Sequence, residues 1–112
     1  MKILYKGGVV FPVVEVAEGF AGRMAGLMLR RKPDSPYAML ITSCNWIHTF
    51  FMRFEIDVIY LDGAYRVVGT ITGLKPWRFT MPRIRARHVL ELPAGVLSLS
   101  GIREGAVLEC SD

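Results

Sequence analysis

Cys44-Asn45-Trp46-Ile47-His48-Thr49-Phe50-Phe51-Met52-Arg53-Phe54-Glu55-Ile56-Asp57-Val58-Ile59-Tyr60-Leu61-Asp62 decides how this chain is read. The stretch gathers one of the two tryptophans, three of the six phenylalanines and one of the two histidines. Ionisable groups stand inside an apolar run, where a charge is costly unless it is paired or used. The spacing predicts one strand from Ile47 to Met52 and a second from Asp57 to Leu61. Asp62-Gly63 is a short-range signal for a hairpin turn after them.

Downstream, Tyr65 to Thr72 is β-branched and reads as a further strand. Gly73 to Pro82 reads as a loop, and Arg85 to Leu92 as another strand. Pro93 opens a helical turn through Val96 and Leu99 that Gly101 halts. Glu104-Gly105 then turns the chain into a last strand, 106–110. Upstream, 2–6 and 9–16 read as strands, the second at an edge or bulged because Pro12 cannot donate to a ladder. Phe20, Met24, Leu27 and Met28 recur with helical period between Glu18 and Arg30. Arg30 to Pro36 reads as an exposed loop, and Tyr37 to Thr42 as a strand. The expected architecture is mainly β with one or two short helices (α+β), a compact single-domain β-barrel or sandwich over residues 1–112.

Composition narrows the classes. With 52% apolar and 21% charged residues, the 112-residue chain is globular rather than disordered, and it suffices for one core. No apolar run reaches the roughly 20 residues of a transmembrane helix. The first residues lack a secretory pattern, so a cytoplasmic protein is expected as the sequence stands. An envelope or secreted setting is the alternative if an export signal has been trimmed. Cys44 and Cys110 make neither a zinc-finger spacing nor a CxxC motif, and free thiols are expected. A Cys44–Cys110 disulfide would require export.

The net charge of +4 is unevenly spread. From Gly63 to Leu90 there is no acidic residue, while Arg66, Lys75, Arg78, Arg83, Arg85 and Arg87 fall in that span with His88 beside them. A field of one sign attracts phosphate, acidic polymers, lipid headgroups or an acidic protein face. The structural alternative is pairing of these arginines with Glu55, Asp57, Glu91 or Glu109.

Several side chains are candidates for chemistry. His48, on a strand, would share an aromatic and methionine-lined face with Trp46, Phe50 and Met52, either as a ligand group or as a core histidine with a backbone partner. Asp57, between Ile56 and Val58, needs a cation or several N–H donors if buried. An ion pair with Arg53, Arg85 or Arg87 is the default expectation, and a ligand-gripping or catalytic acid the alternative. A two-Cys, two-His zinc set from Cys44, His48, His88 and Cys110 has no motif-like spacing, and no glycine-rich phosphate loop is present. No cofactor or metal is expected. Trp77 beside Arg78 is compatible with base stacking, which makes nucleic acid a minor option.

Four blocks resemble, in order, the domain-of-unknown-function family 192 of bacteria and archaea. They are Arg23-Met24-Ala25-Gly26-Leu27-Met28-Leu29-Arg30, then Ile47 to Phe54 running on to Asp57–Asp62, then Val89-Leu90-Glu91-Leu92-Pro93-Ala94-Gly95, and Gly101-Ile102-Arg103-Glu104-Gly105. Gly19, Gly22, Glu55 and Ala106 depart from the family pattern. The resemblance implies a small β-rich fold and, for many relatives, an envelope setting, with no established activity. It also draws attention to Glu91, a second carboxylate in an apolar frame.

The expectation is therefore a non-enzymatic binding or interaction module for an anionic or amphipathic partner. Its candidate binding residues are His48, Met52, Arg53, Asp57, Arg78, Arg85 and Glu91, converging at a pocket mouth. The alternative is a small hydrolase or metal-dependent enzyme using His48 with Asp57 or Cys44.

Overall fold

The computed structural model describes residues 1–17, 30–32 and 37–111. The expected helix from Glu18 and most of the proline loop lie outside these residues. Among the described residues eight strands and one short helix form: β1 (Lys2–Tyr5), β2 (Gly8–Phe11), β3 (Val13–Ala17), β4 (Tyr37–Ile41), β5 (Ile56–Leu61), β6 (Val67–Leu74), β7 (His88–Pro93), α1 (Val96–Ser100) and β8 (Glu109–Ser111). They make two sheets, a three-stranded one in the order β2-β1-β8 and a five-stranded one in the order β3-β4-β7-β5-β6. The fold is mainly β and sandwich-like; it is not a closed barrel.

The larger sheet owes its position to β4, β5 and β7. Every residue of β4 and β5 is buried, the signature of strands covered on both faces. Alternation then sorts the side chains into two cores. Leu40, Ile59, Leu61, Leu90 and Leu92 face Ile3 and Phe11 of the smaller sheet, together with Leu97 of α1. Met39, Ile41, Ile56, Val58, Tyr60 and Val89 face the other way, where Ile47, Met52 and Ala86 cover them. The pairing is antiparallel except between β3 and β4, which run parallel and so cannot be joined by a tight turn.

Three expectations change. The strand predicted over 9–16 is two strands in different sheets, with Pro12 at the break. Asp62-Gly63 does turn the chain, through a wider loop in which Asp62 Oδ1 accepts the N–H groups of Ala64 and Arg66, each at 2.9 Å. Tyr65 (φ 60°) takes the left-handed position. The predicted strand Ile47–Met52 does not form. Only His48 makes a bridge, to Phe79, and the N–H of Met52 closes a turn on Thr49 O at 3.2 Å. The segment lies over the second face of the large sheet instead of joining its ladder. Bulky β-forming residues favour any half-buried surface, and here that surface is a cover.

Candidate functional site

Residues 44–54 and 75–87 contain no aspartate or glutamate, and they hold both tryptophans. The two segments are zipped together by their backbones. Thr49 N–H donates to Arg78 O at 2.7 Å, Trp77 N–H to Thr49 O at 3.0 Å, Thr80 N–H to Ile47 O and Arg83 N–H to Asn45 O, both at 2.9 Å. Two buried hydroxyls complete the seam. Thr49 Oγ1 donates to Lys75 O at 2.7 Å and accepts the N–H of Arg78 at 2.9 Å, while Thr80 Oγ1 accepts the N–H of Ile47 at 2.9 Å. Ile47 and Met52 point into the core.

That seam leaves the larger rings outside. Phe51 lies against Trp77 with centroids 4.7 Å apart, and Phe50 reaches Trp77 at 6.1 Å and stacks on His48 at 5.2 Å. His48 Nδ1 accepts the N–H of Phe50 at 3.2 Å, which fixes the imidazole's orientation. Trp77 is 56% exposed and Phe79 64%; further along the segment Met81 is 74% and Ile84 87% exposed. Phe51 (φ 63°) and Trp77 (φ 66°), the touching pair, both adopt left-handed backbone. For bulky residues this costs on the order of 1 kcal/mol each, a strain that the Thr49 hydrogen bonds hold in place.

Cations run along the same two segments. Arg53, Lys75, Arg78, Arg83, Arg85 and Arg87 are all exposed. Arg83 lays its guanidinium over Tyr60 at 4.7 Å, in a slot that Gly69 leaves open: a Cβ there would meet Arg83 Nη1 at 2.5 Å. Among the described residues the ion pair that forms is Arg30 with Glu15, at 2.8 Å. The expected pairing of the 75–87 arginines with carboxylates does not occur there.

The two carboxylates of the expected cluster stand apart from this surface. Asp57 is buried on the α1 side of β5, and its partners are backbone N–H groups rather than an arginine. Oδ1 accepts from Gly73 at 3.0 Å; Oδ2 accepts from Gly95 at 2.9 Å and Leu97 at 3.0 Å. Gly95 precedes α1 with φ 96° and brings no capping side chain, so Asp57 supplies the cap from a different strand. Glu91 pairs with Met39 and Val58 across the second face, fully buried. Among the described residues nothing donates to its Oε1, and desolvation pushes its pKa up to about 8. It is a neutral acid at pH 7.

Of the seven expected binding residues, then, His48, Arg53, Arg78 and Arg85 lie on the two zipped segments, Met52 is core, and Asp57 and Glu91 lie on opposite faces of the large sheet. The expected convergence of Arg53, Asp57 and Glu91 is not found. Sequence reading missed Phe51, Phe79, Met81 and Ile84, although two acid-free segments with aromatics in both were visible. The enzyme alternative loses Asp57, whose oxygens are occupied by N–H donors. Cys44 Sγ donates to Trp46 O at 2.7 Å, and Cys44 and Cys110 are not joined in a disulfide. Among the described residues no three His, Cys, Asp or Glu side chains gather around a common point, and no helix is long and apolar enough to cross a membrane.

The model of the DUF192 family, described as "Uncharacterized ACR", matches residues 3–110. The chain is similar to a UPF0127 protein of Pyrococcus horikoshii, 44% identical over 87 residues, covering 74% of each chain. A UPF0127 protein of Pyrococcus furiosus is 37% identical over 108 residues, 93% of this chain and 91% of that one. Among solved structures, a protein of unknown function from Novosphingobium aromaticivorans superposes with a TM-score of 0.82. It is 22% identical, and the match covers 97% of this chain and 82% of that one, a likeness of fold.

Proposed function

The chain belongs to the DUF192 family, and on that footing we propose that it is a non-enzymatic interaction module that grips an anionic, amphipathic partner. The gripping surface is the zipped pair 44–54 and 75–87. One observation carries this reading: six exposed cations and several exposed aromatic rings share two zipped segments that hold no acidic residue. Exposed apolar patches of this kind mark interaction sites, and unpaired cations of one sign select an anionic counterpart. Arg78 and Arg85 attract the anion. Trp77 and Phe79 bury against its apolar part. His48, held by Phe50, borders the contact.

The test is a fluorescence titration with inorganic polyphosphate at low and at raised salt, using Arg78→Ala/Arg85→Ala as the comparison. Binding that weakens with salt and drops by about 10-fold in the double variant is expected, since each exposed cation at such a surface contributes on the order of 1 kcal/mol or less. Equal binding by both proteins, or none at low salt, would refute the reading.

A further inference from the structure

Resting on that reading, we infer that the partner is the surface of an anionic lipid bilayer, with the 83–86 turn and the Phe51–Trp77 pair entering its headgroup region. The N–H of Ala86 closes a turn on Arg83 O at 3.0 Å. Its two corner residues are Ile84 and Arg85, so the most exposed large aliphatic of this surface stands beside a cation at a tip. A second turn, closed by Met52 N–H on Thr49 O, puts Phe50 and Phe51 at its corners in the same way. The first tip pairs apolar bulk with positive charge and the second is apolar with Arg53 following it in the chain; apolar insertion and positive charge are the two signals that together give stable attachment to an anionic membrane where either alone is marginal.

Single-stranded nucleic acid fits less well. Stacking needs open ring faces in succession. Here Phe51 leans on Trp77 at an interplanar angle of 58° and Phe50 covers His48, so the rings are engaged with one another. Met81 and Ile84 offer a base nothing to stack on. A protein partner would be expected to receive buried anchors in pockets, whereas these residues project from turns. Trp77, an amphipathic ring against Phe51 of the second tip, has the chemistry that favours the bilayer interface. The zipped backbone presents the tips already ordered, so docking needs little further loss of freedom.

The experiment uses the full chain with Trp46→Phe, which leaves Trp77 as the only tryptophan. Sedimentation with vesicles of phosphatidylcholine alone, and of phosphatidylcholine mixed with phosphatidylglycerol, measures partition, while Trp77 emission reports insertion. Partition onto the mixed vesicles with a blue shift is expected, weakened by salt and lowered at least ~10-fold by Met81→Glu/Ile84→Glu. Both positions are open to solvent, and circular dichroism checks that this variant stays folded. A parallel titration uses a single-stranded oligonucleotide. Oligonucleotide binding without vesicle binding would overturn the membrane inference and leave the anionic reading standing. Vesicle binding without a blue shift and indifferent to Ile84→Glu would overturn insertion. Failure with vesicles, oligonucleotide and polyphosphate alike would overturn both.

Discussion

Glu91 offers the sharpest physical test. Its folded-state pKa of about 8 lies well above an ordinary 4.5. Below about 4.5 the folded and unfolded chains both carry the proton, and stability is unaffected by the group. Between 4.5 and 8 the unfolded chain releases its proton while the folded chain keeps it. Stability therefore falls as pH rises through that window, by up to about 1.4 kcal/mol per pH unit, and levels off above 8. By pH 7 the accumulated penalty is about 3 kcal/mol. Glu91→Gln removes the titration without changing shape much. The difference in urea-unfolding free energy between it and the parent should thus grow by about 2 kcal/mol from about pH 5 to about pH 7. Glu91→Met, placed between Met39 and Val58, should be at least as stable as the parent at pH 7 because it swaps an orphaned acid for a flexible apolar filler. Taking the difference cancels every other titrating group. A difference that stays flat across the window would mean that Glu91 is ionised and paired in the folded chain, and the account of its burial would be wrong.

Asp57→Ala strips three N–H donors of their acceptor at once, one buried and two part-buried; a loss of about 2 to 4 kcal/mol in urea unfolding is expected, with Asp57→Asn intermediate because it keeps one oxygen. A loss below about 1 kcal/mol would refute the capping role. Thr49→Val keeps the shape but removes the hydroxyl joining Lys75 O to Arg78 N–H, so a loss of about 1–3 kcal/mol should accompany faster hydrogen exchange at Trp77 and Arg78. Unchanged exchange there would mean that the seam does not depend on that side chain.

The sheet strands were legible because β5 and β7 are short, mostly apolar runs bounded by turn signals, the pattern of strands covered on both faces. α1 was legible from Pro93 and Gly101, the latter ending the helix at φ 73°. What the sequence obscured was the direction of help. Asp57 was recognisable as a buried carboxylate, but nearby arginines in the text of the chain suggested an ion pair. Its true donors are main-chain groups of Gly73, Gly95 and Leu97, which no side-chain pattern advertises. Likewise Ile47–Met52 has strand-forming residues, yet its fate rested on Thr49 meeting Lys75 and Arg78 across a distance of about 26 to 29 residues. Long-range backbone pairing of that kind leaves no local trace.

The arrangement of charge links the interior to the surface. Two acidic residues, Asp57 and Glu91, are buried in the large sheet. Asp57 spends its charge on N–H groups inside the fold, and Glu91 carries none at pH 7, so the net charge of +4 becomes +5 there. Meanwhile six of the fourteen lysines and arginines fall in the two acid-free segments, and among the described residues none of the six forms an ion pair. A surface built this way does not owe its positive field to an excess of basic residues alone. It also follows from placing acids where they cap, or stay protonated, out of reach of the arginines. Adding one exposed acid within 75–87 should therefore weaken anion binding more than adding the same acid at the exposed Leu99 on α1, although the two proteins would have identical net charge.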